Sequence, residues 1–166
     1  MRIAGSIITL ICGIMVIVGV FLAWMNVCAS GYGYGCGTGS GWDMLDVGTA
    51  FGQYGINVNM SCIYLVLGGG VLMAICALPA FIVSLASKGG RAAIVTLGIF
   101  AMLGAFVAIG GCIWYVISAI DVMDLFSIAG LDSSIYYGFY ISAAAAVIGF
   151  IFAILTAAFS KGRQDW

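Results

Sequence analysis

Four uncharged and mainly apolar runs divide the chain: Ile3 to Met25, Ile63 to Ala86, Ala92 to Ile117 and Ile135 to Phe159. Each exceeds the ~20 apolar residues that a helix needs to cross a bilayer. The pattern predicts an all-α membrane fold: a four-transmembrane-helix bundle forming a single integral domain over residues 1–166. Its outer loops would be 26–62 and 118–134, its inner loop 87–91 and its cytoplasmic tail 160–166. The first run is read as a span rather than a cleaved signal peptide. Met1-Arg2 makes a short basic start and Val27-Cys28-Ala29-Ser30 offers small residues, but the apolar run is longer than an h-region of about 7 to 15 residues. Met25-Asn26-Val27 is a poor lead-in for lipid attachment at Cys28.

Between the first two runs lies "GYGYGCGTGSGW", with glycine at every odd position from Gly31 to Gly41. This alternation has the strand period of two. One face would be bare glycine, able to lie flush against another strand or the bundle. The other would carry Tyr32, Tyr34, Cys36, Thr38, Ser40 and Trp42, of which Tyr32, Tyr34 and Trp42 are the candidate contact surface. A partly ordered, β-like first outer loop is therefore expected. The competing reading is a flexible tether, since each glycine costs conformational entropy on ordering. Cys28 and Cys36 share parity and are the disulfide candidates, with Cys62 as the competing partner and a Cys62–Cys112 pair left open. Cys12 and Cys76, inside spans, read as small packing residues.

The two halves of the chain resemble each other. Ser40-Gly41-Trp42-Asp43 is followed by Asp46, and Ser118-Ala119-Ile120-Asp121 by Asp124; "SKGGR" from Ser87 and "SKGR" from Ser160 close the second and fourth runs. These matches, in the same order in both halves, predict two duplicated helical hairpins related by an axis along the membrane normal. Each S-x-x-D reads as a helix start in which serine caps the amide three residues on and aspartate returns the bond. The rival reading, a cation held by each aspartate pair, has too few oxygen ligands. Small residues recur at spacings of four: Cys76, Ala80 and Ser84 on the second helix, Gly149, Ala153 and Ala157 on the fourth. Such stripes let helix backbones approach closely inside lipid, where the hydrophobic effect does not drive association. A further stripe, Ala92, Thr96, Gly104 and Ala108, is a candidate for contact with another subunit.

Charge orients the bundle. The five cations, Arg2, Lys88, Arg91, Lys161 and Arg163, flank one side of the spans, whereas Asp43, Asp46, Asp121, Asp124 and Asp132 lie in the loops on the other. By the positive-inside rule both termini are cytoplasmic, and a multi-pass cell-membrane protein is expected. Trp24, Tyr64, Trp114, Tyr115, Tyr136, Tyr137 and Tyr140 gather at the outer ends, as an interfacial aromatic belt would. Only 7% of residues are charged, and there is no histidine or glutamate. Acid–base and metal chemistry is left with aspartate and cysteine alone, so no catalytic residue, metal site or cofactor is expected. A net charge of −1 gives no basic surface for nucleic acid.

Four spans, cytoplasmic termini, a long first outer loop carrying Cys28, Cys36 and Gly41-Trp42, and a shorter second loop resemble the claudin-like tetraspan proteins. The resemblance is one of topology over the whole chain. Claudins place a Gly-Leu-Trp before their cysteine pair, whereas here the cysteines come first. It implies lateral assembly or contact through the first loop. The sequence thus leads to a non-catalytic tetraspan acting in assembly, as a homo-oligomer or an accessory subunit of other membrane proteins, within the lipid bilayer. An oligomeric pore or small-solute transporter is the alternative.

Overall fold

The computed structural model describes residues 2–29, 35–46, 60–85, 91–128 and 130–159. Tyr32, Tyr34, the 160–166 tail and the inner loop up to residue 90 lie outside the described residues. Helices α1 (Arg2–Phe21), α2 (Cys62–Leu85), α3 (Arg91–Ile128) and α4 (Tyr137–Phe159) are joined by strands β1 (Ala23–Ala29), β2 (Cys36–Ser40) and β3 (Leu131–Ile135). All four helices are long and apolar enough to cross a membrane, as in a multi-pass membrane protein. Each helix packs on its sequence neighbours and α4 closes back onto α1, leaving α1/α3 and α2/α4 as the diagonals. The three strands form one small sheet at the end where α1 finishes and α4 begins.

Glycines make the helix seams. A Cβ at Gly69 would lie 2.5 Å from the Gly104 carbonyl oxygen, and one at Gly104 would lie 2.8 Å from that of Gly69, so α2 and α3 touch backbone to backbone. Gly13 does the same against α2, where a Cβ would lie 2.9 Å from the Ala74 nitrogen and 3.1 Å from the Gly70 carbonyl oxygen; one at Gly70 would meet the Val16 and Ile17 side chains instead, and Gly138 meets the Ala23 carbonyl oxygen at the sheet end of α1 and α4. Close approach of this kind supplies the dispersion contacts that hold helices together in lipid. The proposed stripes divide accordingly. Cys76 and Ala153 are buried together with Ala101, Ala80 and Gly149 are also buried, and Ser84 and Ala157 are half-buried. The stripe assigned to another subunit is split, because Gly104 and Ala108 pack on Gly69 within the chain while Ala92 and Thr96 are exposed.

Three boundaries differ from the apolar runs. The first span ends at Phe21 rather than Met25, because the last carbonyls of α1 find other donors: the Leu22 amide and the Trp24 indole donate to Gly19, and the Trp42 amide to Val20. Such donors satisfy groups that a helix end leaves open. The third helix does not stop at Ile117 but runs to Ile128, since Ala119, Val122, Met123 and Phe126 recur at helical spacing and pack on the core. Ser118, Asp121 and Asp124 therefore lie inside a continuous helix. Amides there are already paired in the helix ladder, so Ser118 is not a cap. Finally, β3 precedes the fourth span, which starts at Tyr137 instead of Ile135.

The aromatic belt also needs correction. Tyr64, Trp114, Tyr136, Tyr137 and Tyr140 are exposed, but Trp24 and Tyr115 are fully buried. Trp24 stands edge-on to Tyr115 and Phe139, with ring centroids 4.7 and 5.5 Å away, and Tyr115 lies 5.4 Å from Phe139. These rings fill the bundle beneath the sheet.

Candidate functional site

The sheet end carries the chemistry that remains. β1 is the central strand, antiparallel to both neighbours: Cys28 faces Cys36 on β2 and Asp132 on β3. This opposition brings the Cys28 and Cys36 Cα atoms to 4.1 Å, and the two residues form a disulfide. Cys12, Cys62, Cys76 and Cys112 are buried free thiols, so neither competing pairing with Cys62 is present. The disulfide fixes the register of the β1–β2 hairpin, which a glycine-rich strand specifies poorly through its side chains.

β2 ends in a turn built by Ser40 and Asp43. The Ser40 amide and hydroxyl donate to the Asp43 carboxylate at 2.9 and 2.8 Å, and the Asp43 amide donates back to the Ser40 hydroxyl oxygen at 3.1 Å. These bonds start a helix whose described residues are 43–46. They also hold the Asp43 carboxyl below the usual carboxylate range, the Ser40 amide contributing most and its hydroxyl next. The turn places Trp42 against Phe21, stacked at 5.8 Å, and edge-on to Tyr64 at 6.3 Å. Trp42 remains 42% exposed.

The glycines of this stretch have separate roles. A Cβ at Gly41 would press on the Val20 carbonyl oxygen at 2.7 Å and on the Trp24 ring, and Gly39 sits beneath the Met44 methyl. Here the bare face does lie against the bundle. At Gly35 and Gly37, among the described residues, nothing lies within 4 Å of where a Cβ would stand. With β2 at the edge of the sheet, these positions and Trp42 form an open, flat rim.

The bundle interior offers little room beneath this cap. At the opposite end a void of about 10 Å³, enough for about one water, is lined by Ser6, Thr9 and Thr156 among small residues. The Thr9 and Thr156 hydroxyls donate to carbonyls one turn earlier in their own helices. An apolar groove of about 210 Å³ opens between α3 and α4 beside Cys112, Phe139 and Ala143. Among the described residues no cluster of three or more acidic or cysteine side chains is arranged to hold a metal.

Sequence reasoning located Cys28, Cys36, Ser40, Asp43 and Trp42 at one end, and the structure brings these five together; Asp121 and Asp124 stand apart on α3. It missed β3 and the central place of Trp24. The alternation of half-buried Leu131, Ser133 and Ile135 with exposed Asp132 and Ser134 is the strand signal that was present for β3. No protein-family model matches the chain, and no curated protein matches it.

Proposed function

We propose that this chain is a non-catalytic tetraspan protein of the cell membrane that acts in assembly, either with copies of itself or as an accessory subunit of a larger membrane complex. Contacts would be made through the first outer loop, with both termini in the cytoplasm, on the plan of the claudin-like proteins. The observation that carries this reading is the disulfide-fastened sheet whose β2 rim leaves Gly35, Gly37 and Trp42 open. A covalently fixed surface loses little conformational entropy on docking, and exposed aromatics are common binding anchors. The diagonal placement of α1 and α3, and of α2 and α4, supports a duplicated pair of hairpins, although the two S-x-x-D motifs occupy unlike local structures.

Replacing Tyr32, Tyr34 and Trp42 with alanine tests the contact surface. The variant should insert normally but lose oligomer mass or co-purifying subunits in mild detergent; an unchanged particle mass and subunit content refutes contact through this loop. A cysteine introduced at Asp132 should react with an impermeant maleimide in intact cells, and one at Lys161 should not. The alternative, an oligomeric pore or small-solute transporter, draws on the hydroxyl-lined void at the termini end. Against it, the sheet-end half of the bundle is filled by Trp24, Tyr115 and Phe139. Solute flux in liposomes separates the two.

A further inference from the structure

At the level of Gly111, α3 still packs on the start of α2, where a Cβ would lie 2.9 Å from the Cys62 carbonyl oxygen. Beyond it α3 continues for several turns beside the sheet. Its 38 residues span about 57 Å at ~1.5 Å each, well over the ~30 Å of a hydrocarbon core. On this projection Ala119 and Val122 are buried, and the opposite face carries Ile117, Ile120 and Ile128 at 61, 53 and 85% exposure. At 100° per residue, exposed Asp121 and Asp124 fall among these isoleucines on the same face. Exposed Phe106 and Ile113, nearer the middle of α3, are solvated by acyl chains. Two carboxylates set the 120–128 stretch outside the apolar slab, where such exposure faces water and marks an interaction site.

Charge identifies the occupant. In sequence, residues 22–61 and 118–136, which flank the sheet strands, contain five aspartates and no lysine or arginine; the five cations fall at the start of α1, between α2 and α3 or at the start of α3, and after α4. A second copy would bring carboxylates against carboxylates. An acidic and apolar face instead complements a basic and apolar one. We propose that Ile117, Ile120, Asp121, Asp124 and Ile128 on the α3 projection dock a basic amphipathic segment of a different membrane protein. This rests on the assembly reading and selects the accessory-subunit form of it.

The test places a benzoylphenylalanine photocrosslinker at position 120 of the full chain in its native membrane, with a second probe at position 42. Crosslinks from 120 should map to a segment of another chain that interleaves Lys or Arg with apolar residues. Their yield should fall about three- to tenfold in the Asp121→Asn/Asp124→Asn variant, as loss of two exposed ion pairs implies, and similarly in 0.5 M salt. Crosslinks to a second copy of this chain, to its own residues 47–59 or only to lipid overturn the proposal, as does a yield indifferent to the asparagines. Protein crosslinks at 42 without any at 120 overturn it alone. Their absence at both positions overturns the assembly reading with it.

Discussion

Two adjacent glycines on α2 should respond oppositely to the same added methyl. Gly69 faces α3, and a Cβ there would stand 2.5 Å from the Gly104 carbonyl oxygen, 2.6 Å from the Ala108 nitrogen and 2.9 Å from the Ala108 methyl. Two of these three atoms are backbone, so the seam itself must open. Overpacking of this kind costs about 1–3 kcal/mol. Gly68 has nothing within 4 Å of its would-be Cβ, and alanine there gains the ~0.5–1 kcal/mol by which it exceeds glycine inside a helix. Both variants share that gain, which leaves the overpacking as their difference. Gly69→Ala should therefore be about 1–3 kcal/mol less stable than Gly68→Ala. The assay is reversible unfolding in mixed micelles titrated with sodium dodecyl sulfate, reading the midpoint of helix loss by circular dichroism. Equal stabilities for the two variants, or a more harmful Gly68→Ala, would refute the backbone-to-backbone seam.

Removing the disulfide with Cys28→Ser should release the β1–β2 hairpin by about 2–3 kcal/mol, as expected for a short closed loop; faster amide exchange over Cys36–Ser40 with unchanged protection in α2 is the readout. The Asp43 carboxyl has a lowered pKa in the fold, so its contribution to the turn is fully present above the ordinary carboxylate value of ~3.9. It is lost as pH falls through the lowered folded value. The Ser40 amide resonance should follow that transition by nuclear magnetic resonance, and Asp43→Asn should abolish it.

The four spans were legible because an uncharged run of more than ~20 apolar residues has few other stable environments. Their sheet-side ends were not, and the reasons differ by residue. Leu22 to Met25 are as apolar as the helix before them, and the break is marked by bonds no sequence pattern shows, from the Trp24 indole to Gly19 and from the Gly41 and Trp42 amides to Leu22 and Val20. Ser118 and Asp121 have the spacing of a cap but lie where Ala119, Val122 and Met123 continue a buried helical face. The same motif at Ser40 works as a cap because the strand before it leaves the amides of the turn unpaired. Cys28 and Cys36 were legible because they share parity, and so can face one side of a short hairpin, in a compartment that permits disulfides. The roles of the glycines were not, because whether a missing side chain admits Trp24 or open space depends on what the bundle places opposite.

The position of β1 between β2 and β3 dictates an order of construction. Its hairpin with β2 is local, and the Cys28–Cys36 bond can lock it soon after the first helix has been threaded into the bilayer. Its other edge waits for a strand roughly a hundred residues later in the chain, a long-range pairing of the kind that forms slowly. That partner emerges only when the third helix has crossed, so through most of synthesis the central strand presents an unpaired ladder to its surroundings. Completion of the sheet is thus a report that the first three helices have been threaded, and a product truncated before β3 would leave the translocation machinery with an adhesive edge.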